Sequence, residues 1–166
     1  MDPAKRNAAV FIAAAALDQI LKAAVQAARP DIDLGAVWIH ELRNTGASFG
    51  IFQGSNTILI FVSLMALGLI MVNVRGFTRK EGIPITLVSA GIAGNLIDRV
   101  ARGYVVDFFD LKWWPAFNLA DSCIFIGVIW LAAILIIDEK EKQDKSALSA
   151  AAAAKKQPKR IKPGKK

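Results

Sequence analysis

The 166-residue sequence predicts a mainly α membrane protein, a four-transmembrane-helix bundle with a small β element outside the membrane. Three observations predict it. Hydrophobic residues make up 54% of the chain and mean hydropathy is +0.40, both high for a soluble domain. The apolar residues gather into four runs, near 8–28, 57–74, 83–98 and 118–137, close to the ~20 residues a helix needs to cross a bilayer. The net charge of +7 sits mostly at one end: from Asp138 onward ten Lys/Arg and four Asp/Glu give +6, leaving +1 for everything before it. The chain therefore divides into one membrane domain over 1–145 and a basic tail over 146–166.

The first run follows Lys5 and Arg6 and is interrupted by Asp18, Gln19 and Lys22. A positive start followed by apolar residues also fits a cleaved signal peptide. The polar trio breaks such an apolar region, which favours an uncleaved first helix. Asp18 and Lys22 are four residues apart and share a helix face, as a site pair or as a pair that only neutralises itself and snorkels. Arg29-Pro30 stops the helix. Residues 31–56 alternate β-branched and aromatic residues around the turn signal Asn44-Thr45-Gly46, which predicts short strands. His40 falls there as a strand or surface histidine.

The second run, 57–74, is almost wholly apolar, and Arg75, Arg79 and Lys80 follow it. The third begins with Pro84 in its first turn, where proline is tolerated. Ala90, Gly91, Ala93 and Gly94 give it a small-residue face of the kind that lets helices approach closely in lipid. A phosphate-binding glycine loop is the sharper alternative, but no strand precedes these glycines and no lysine of the required motif follows. Asn95, Asp98 and Arg99 close this run on one side of the helix. Trp113-Trp114 suits a membrane–water interface. The fourth run opens with Asn118, Asp121 and Ser122 on one face, where Asn118 also has the chemistry of an N-cap. Cys123 lies in the apolar run as a small packing residue. The tail, alanine-rich and basic, is expected to be disordered beyond about residue 145, with a short helix possible over 147–154. It either holds anionic lipid or is simply solvated.

The Lys/Arg positions alternate sides, so the positive-inside rule puts both termini and the 75–80 loop in the cytoplasm. The 29–56 and 99–117 loops then face outward. Known hydrolytic signatures are missing: there is no HExxH, no GxSxG and no cysteine–histidine pair, and one histidine cannot build a multi-histidine metal site. Carboxylates remain. Asp107 stands between Val105-Val106 and Phe108-Phe109, and Asp121 opens the fourth run. Two carboxyls brought together in apolar surroundings share a proton. The ionised one takes a proton from water and the protonated one polarises a peptide carbonyl. Asp98 is a rival member, but Arg99 and Arg102 nearby favour an ion pair. A plain alternative makes all three aspartates interfacial charges, and another makes Asp18, Asp98, Asp107 and Asp121 proton or ion sites of a small transporter or assembly subunit. The positions at helix ends or in a loop, and the lack of apparent internal repeats, speak against transport.

Five segments in order make the sequence resemble the lipoprotein signal peptidase family, the type II signal peptidases of bacteria. They are Leu17-Asp18-Gln19 with Lys22; Asn44 through Gly50; Gly94 through Arg99; Val105 through Phe108; and Phe117 through Ser122. The resemblance implies an aspartic endopeptidase of the bacterial cytoplasmic (inner) membrane, with an extracytoplasmic β-cradle and an outward-facing site. Its implied substrates are prolipoproteins whose cysteine carries a diacylglyceryl group, cut on the N-terminal side of that cysteine. It places the catalytic roles on Asp107 and Asp121, and supporting roles on Asn44, Asn95, Asp98, Arg99 and Asn118. It gives Asp18 and Lys22 a first-helix, structural role. It implies no metal or organic cofactor, membrane lipids as surroundings, no nucleic-acid partner and a monomer.

Overall fold

The structure is a computed structural model and describes residues 1–46 and 54–156. Four helices and three strands follow in the order α1 (Pro3–Ala28), β1 (Asp31–Asp33), β2 (Trp38–Asn44), α2 (Asn56–Val72), α3 (Gly82–Arg102), β3 (Val105–Asp110) and α4 (Leu119–Lys156), with one 3₁₀ turn at Val74–Gly76. Residues Met1–Leu131 form one compact unit, and a second unit begins at Ala132, within α4. In that second unit the helix carries exposed Leu135, Ile136 and Ile137, then a Glu141–Lys145 pair at 3.7 Å.

Helix α1 starts five residues before the predicted run. Asp2 accepts a hydrogen bond from the Ala4 amide (3.1 Å), and Pro3 occupies the first helical position, where its missing N–H is no loss. The helix ends at Arg29, which adopts a left-handed conformation before Pro30. Its burial is inverted relative to a soluble protein: Asp18 and Lys22 are its buried residues, while Ile12, Leu17 and Ile20 are exposed. Polar groups that would be expensive in lipid point inward, and apolar ones are left for the bilayer.

Helix α2 has 17 residues, none of them buried, at the lower limit for a crossing. Helices α1, α3 and the first 28 residues of α4 are each long and apolar enough to cross a membrane. Helix α3 is central and packs on α1, α2 and β3. It also meets the start of α4 through glycines. A side chain at Gly91 would collide with the Ala120 carbonyl, and a Cβ at Gly127 would stand 2.6 Å from Val88. The predicted small-residue face is therefore where α3 receives its neighbours. Helix α3 runs one turn past the predicted residue 98, to Arg102, and stops at Gly103 with φ +80°, a conformation glycine takes without steric cost.

The three strands form one antiparallel sheet in the order β1-β2-β3, joining the two loops that sequence reading placed on the same side. The register sets Leu42 opposite Asp107 and Asn44 opposite Val105, after an irregularity between Ile39 and Leu42. Phe109 bridges to Phe117, which brings β3 to the start of α4. His40 is a strand residue, as expected. Its ring stacks on Trp38 at 3.8 Å and its Nε2 lies 3.3 Å from Asp110.

Helix α4 continues to Lys156, so the disorder expected beyond about residue 145 does not hold over 146–156. Alanine, leucine and lysine are strong helix formers, and a stretch of them broken only by Ser146 and Ser149 extends a helix that begins at Leu119. The later tail and residues 47–53, which carry most of the predicted Asn44–Gly50 motif, lie outside the described residues.

Candidate active site

The site forms where β3, α1, the C-terminal half of α3 and the start of α4 meet. Strand β3 is buried from Val105 to Phe108, which fixes Asp107 in the interior. Asp107 accepts two hydrogen bonds, one on each oxygen. The amide of Asn44 at the end of β2 donates to Oδ2 (2.9 Å) and the amide of Asn118 to Oδ1 (2.7 Å). Burial pushes the Asp107 carboxyl up to about 7, and the negative charge of Asp121 adds to this. The two amides and the Lys22 ammonium oppose the rise.

Asn118 is the junction. Its Oδ1 accepts from the Asp121 backbone N–H (3.0 Å), and its own backbone N–H donates to Asp121 Oδ2 (3.2 Å). This reciprocal pair has the geometry of a capping box, so the start of α4 and the placement of Asp121 share one set of bonds. The remaining Asn118 Nδ2 contacts run to Asn95 Oδ1 (3.1 Å) and the Val106 carbonyl (3.3 Å). The N-cap role expected of Asn118 is filled. Asn95 in turn donates to Asp121 Oδ1 (2.7 Å). Each oxygen of both carboxyls is thus an acceptor held by an amide.

Beneath this layer lies a charged one. The fully buried Lys22 ammonium contacts Asp18 (2.9 Å), Asp98 (3.2 Å) and Asn95 Oδ1 (2.9 Å). Asp98 also pairs with Arg102 and accepts from the Val106 N–H (3.0 Å), the residue before Asp107. Asp18 accepts from the Ala120 N–H (2.9 Å), the residue before Asp121. Asp18 of the first-helix pair therefore holds the Asp121 segment directly, Lys22 holds the Asp107 segment through Asp98, and the pair does not snorkel. Removing one member of a buried pair strands the other charge, at a cost of about 3–5 kcal/mol.

Asn44, Asn95, Asn118, Asp98, Asp18 and Lys22 all join this network. Asp98 is ion-paired as expected, to Lys22 and Arg102. Arg99 directs its guanidinium to the Gly46 carbonyl (3.3 Å) and is partly buried, within electrostatic reach of Asp121, Asp107 and Asp98. Sequence reasoning gave Gln19 no role. Its amide reaches Asp18, the Gly94 carbonyl and Asp98 at 3.1–3.2 Å. Its place in the polar interruption of α1 was the available signal. Asn56 was also missed: it donates to the Arg99 carbonyl (3.0 Å) and ties α2 to the end of α3. A groove of about 330 Å³ lined by Asn7, Phe11, Met71, Ile85 and Ser89 lies toward the start of α3, away from these carboxyls.

Helices with apolar outer faces around a hydrogen-bonded polar centre define a membrane protein rather than a soluble one. Comparison with known proteins makes the class specific. The model of the signal peptidase II family matches residues 10–137, and the chain belongs to that family. The lipoprotein signal peptidase of Syntrophomonas wolfei is 38% identical over 141 residues, spanning 80% of this chain and 94% of that protein. That of Geobacter sulfurreducens is 39% identical over 150 residues, spanning 81% and 93%. A solved bacterial membrane enzyme superposes with a TM-score of 0.75 at 26% identity, over 95% of each chain. A second gives 0.71 at 28% identity, over 79% of this chain and 92% of that one. The protein is a protease of the membrane, and the transporter alternative is set aside by its family.

Proposed function

We propose that the protein is an aspartic endopeptidase in which Asp107 and Asp121 form the catalytic pair, and that it removes the signal peptide from diacylglyceryl-modified prolipoproteins, cutting N-terminal to the lipidated cysteine. The observation that carries this reading is Asn118, which donates to Asp107 through its side-chain amide, donates to Asp121 through its backbone N–H and accepts from the Asp121 N–H on its side-chain oxygen. One residue thereby fixes two carboxyls of which one has its proton loss raised to about 7. The ionised carboxylate takes a proton from water as the water oxygen bonds to the peptide carbon. The protonated one gives its proton to the carbonyl oxygen. Collapse of the tetrahedral intermediate breaks the C–N bond, with a proton passing to the leaving amine. Asn44, Asn95 and Asn118 hold the carboxyls, Asp98 holds β3, and Arg99 holds Gly46 beside Asn44. No cofactor enters the scheme.

The proposed setting is the bacterial inner membrane, with both termini cytoplasmic and the protein acting as a monomer. Support comes from the sheet: β1, β2 and β3 gather both outward loops at one end, while Arg75, Arg79 and Lys80 follow α2 at the other. Trp113 and Trp114 are exposed beyond β3, where aromatic rings suit the interface. Residues 1–145 would make the membrane domain and 146–166 a cytoplasmic basic tail. Apolar side chains exposed on α2 and α4, such as Phe61, Leu69 and Phe125, face the acyl chains of lipid and substrate. Each buried CH₂ of the substrate contributes ~0.8 kcal/mol. A diacylglyceryl lipobox peptide is therefore expected to be cut at least about a hundredfold faster, in kcat/KM, than the same peptide without lipid. Equal rates would sink the substrate assignment.

The pH dependence has a definite sign. The active pair holds one proton, and Asp107 loses its proton near 7 because the charged form is disfavoured by burial. Activity is accordingly expected to fall as pH rises through about 7. Asn44 donates to the charged form and lowers this value. Asn44→Ala should move the alkaline limb of kcat/KM to higher pH, and an unmoved limb would show that Asn44 does not act on Asp107.

A further inference from the structure

Among the described residues the charges around the two carboxyls are few, three of them buried (Asp18, Lys22 and Asp98) and two partly buried (Arg99 and Arg102). Lys22 and Asp18 stand beside them from α1, and from α3 come Asp98, the partly buried Arg99 and, paired to Asp98, Arg102. Strand β2 contributes only the neutral amide of Asn44 to Asp107, and in α4 the Cys123 thiol lies near Asp18. Three positive and two negative groups leave one positive charge. A pair holding a single proton carries one negative charge and brings the set to neutrality. A doubly ionised pair leaves an excess negative charge in a medium of low dielectric, and a doubly protonated pair an excess positive one, and both are costly there.

Lys22 occupies the centre of this set. Its ammonium donates to Asn95 Oδ1 (2.9 Å), and Asn118 Nδ2 donates to the same oxygen (3.1 Å). Two donors on one side leave the Asn95 amide a single orientation, with its NH₂ toward Asp121 Oδ1 (2.7 Å). An inverted amide would put two donors face to face at Lys22 and two acceptors face to face at Asp121. We propose that Lys22 is a positioning residue for the reaction, which orients Asn95 on Asp121 and, with Asp18, sets the charge balance that keeps the carboxyl pair singly protonated. The inference rests on the carboxyl pair being catalytic, as proposed above. It extends the role of the first helix from holding the fold to selecting the working protonation state. The Lys22 charge also acts against the burial of Asp107 in the direction required.

The test is the pH profile of kcat/KM on a diacylglyceryl lipobox peptide in detergent, for the wild type, Lys22→Met, Asp18→Asn and the double variant. Losing a positive charge makes the last proton harder to remove, so Lys22→Met should move both limbs up by roughly one pH unit. Losing a negative charge acts oppositely, so Asp18→Asn should move both limbs down. The double variant restores the charge and should return the limbs near the wild-type position, although its overall rate stays lower. A purely structural role would lower rates without opposite shifts, and limbs that stay fixed or move together in both single variants would overturn the proposal. If Lys22→Met does not fold, Arg102→Gln removes a positive charge from a partly exposed side chain. It must then move the limbs up while Asp18→Asn moves them down. Failure of the underlying reading looks different: Asp107→Asn would keep wild-type activity whatever these profiles show.

Discussion

Asp107→Asn and Asp121→Asn are each expected to lower kcat/KM on lipidated peptide by roughly 10²- to 10⁴-fold, the range contributed by a positioned acid or base. The substitution keeps the shape and removes the titrating group. It also disturbs the hydrogen bonding in a predictable way. Asp107 accepts on both oxygens, from Asn44 and Asn118, and Asp121 accepts on both, from Asn95 and the Asn118 backbone. An amide in either place offers one acceptor and one donor, so one neighbouring N–H is left facing an N–H. That costs about 1–3 kcal/mol of stability, so thermal unfolding in detergent must accompany the kinetics. A variant that stays folded and cuts at near wild-type rate would remove that aspartate from the mechanism.

Asn118→Ala should have the next largest effect. It deletes the amide that donates to Asp107 (2.7 Å) and to Asn95 (3.1 Å), and the oxygen that caps Asp121 (3.0 Å). No other side chain touches both carboxyl-bearing residues among the hydrogen bonds described. Displacing reacting groups by about 1 Å costs on the order of 10²-fold in rate, and an N-cap replaced by alanine costs roughly 1 kcal/mol of stability. The loss should fall mainly on kcat, because Asn118 positions the carboxyls and does not need to contact the lipid. Steady-state kinetics with unchanged kcat and a raised KM would show instead that Asn118 serves substrate binding.

Much of this arrangement is legible in the sequence because lipid makes polar residues conspicuous. Asp18, Gln19 and Lys22 interrupt an apolar helix, and an interruption of that kind must face protein; the structure buries Asp18 and Lys22. The glycines of α3 announce close helix contacts and deliver them at Ala120 and Asp18. The pairing of two distant loops into one sheet was less legible. β2 and β3 are separated by α2 and α3, and strand propensity says nothing of partners. Hence the contact from Asn44 to Asp107 needed either resemblance or structure. Arg99 shows another limit. Helical spacing places it beside Asp98, but its long side chain reaches Gly46, and Arg102, one turn further along α3 than Asp98, takes the ion pair. Alanine and lysine read equally as helix and as solvated tail, so the end of α4 at Lys156 is not legible from composition. Continuity with the apolar run at Leu119 decides for helix.

Asp107 and Asp121 are proposed to work as one unit sharing one proton. The most direct measurement is kcat/KM for Asp107→Asn, Asp121→Asn and the double variant on the same diacylglyceryl lipobox peptide, with each protein shown to be folded. Groups that act as a unit are far from additive. The double variant is expected to be no slower than the slower single variant, because either substitution alone already abolishes the shared-proton chemistry. A double variant whose loss equals the product of the two single losses would mean that the carboxyls act independently, and would contradict it.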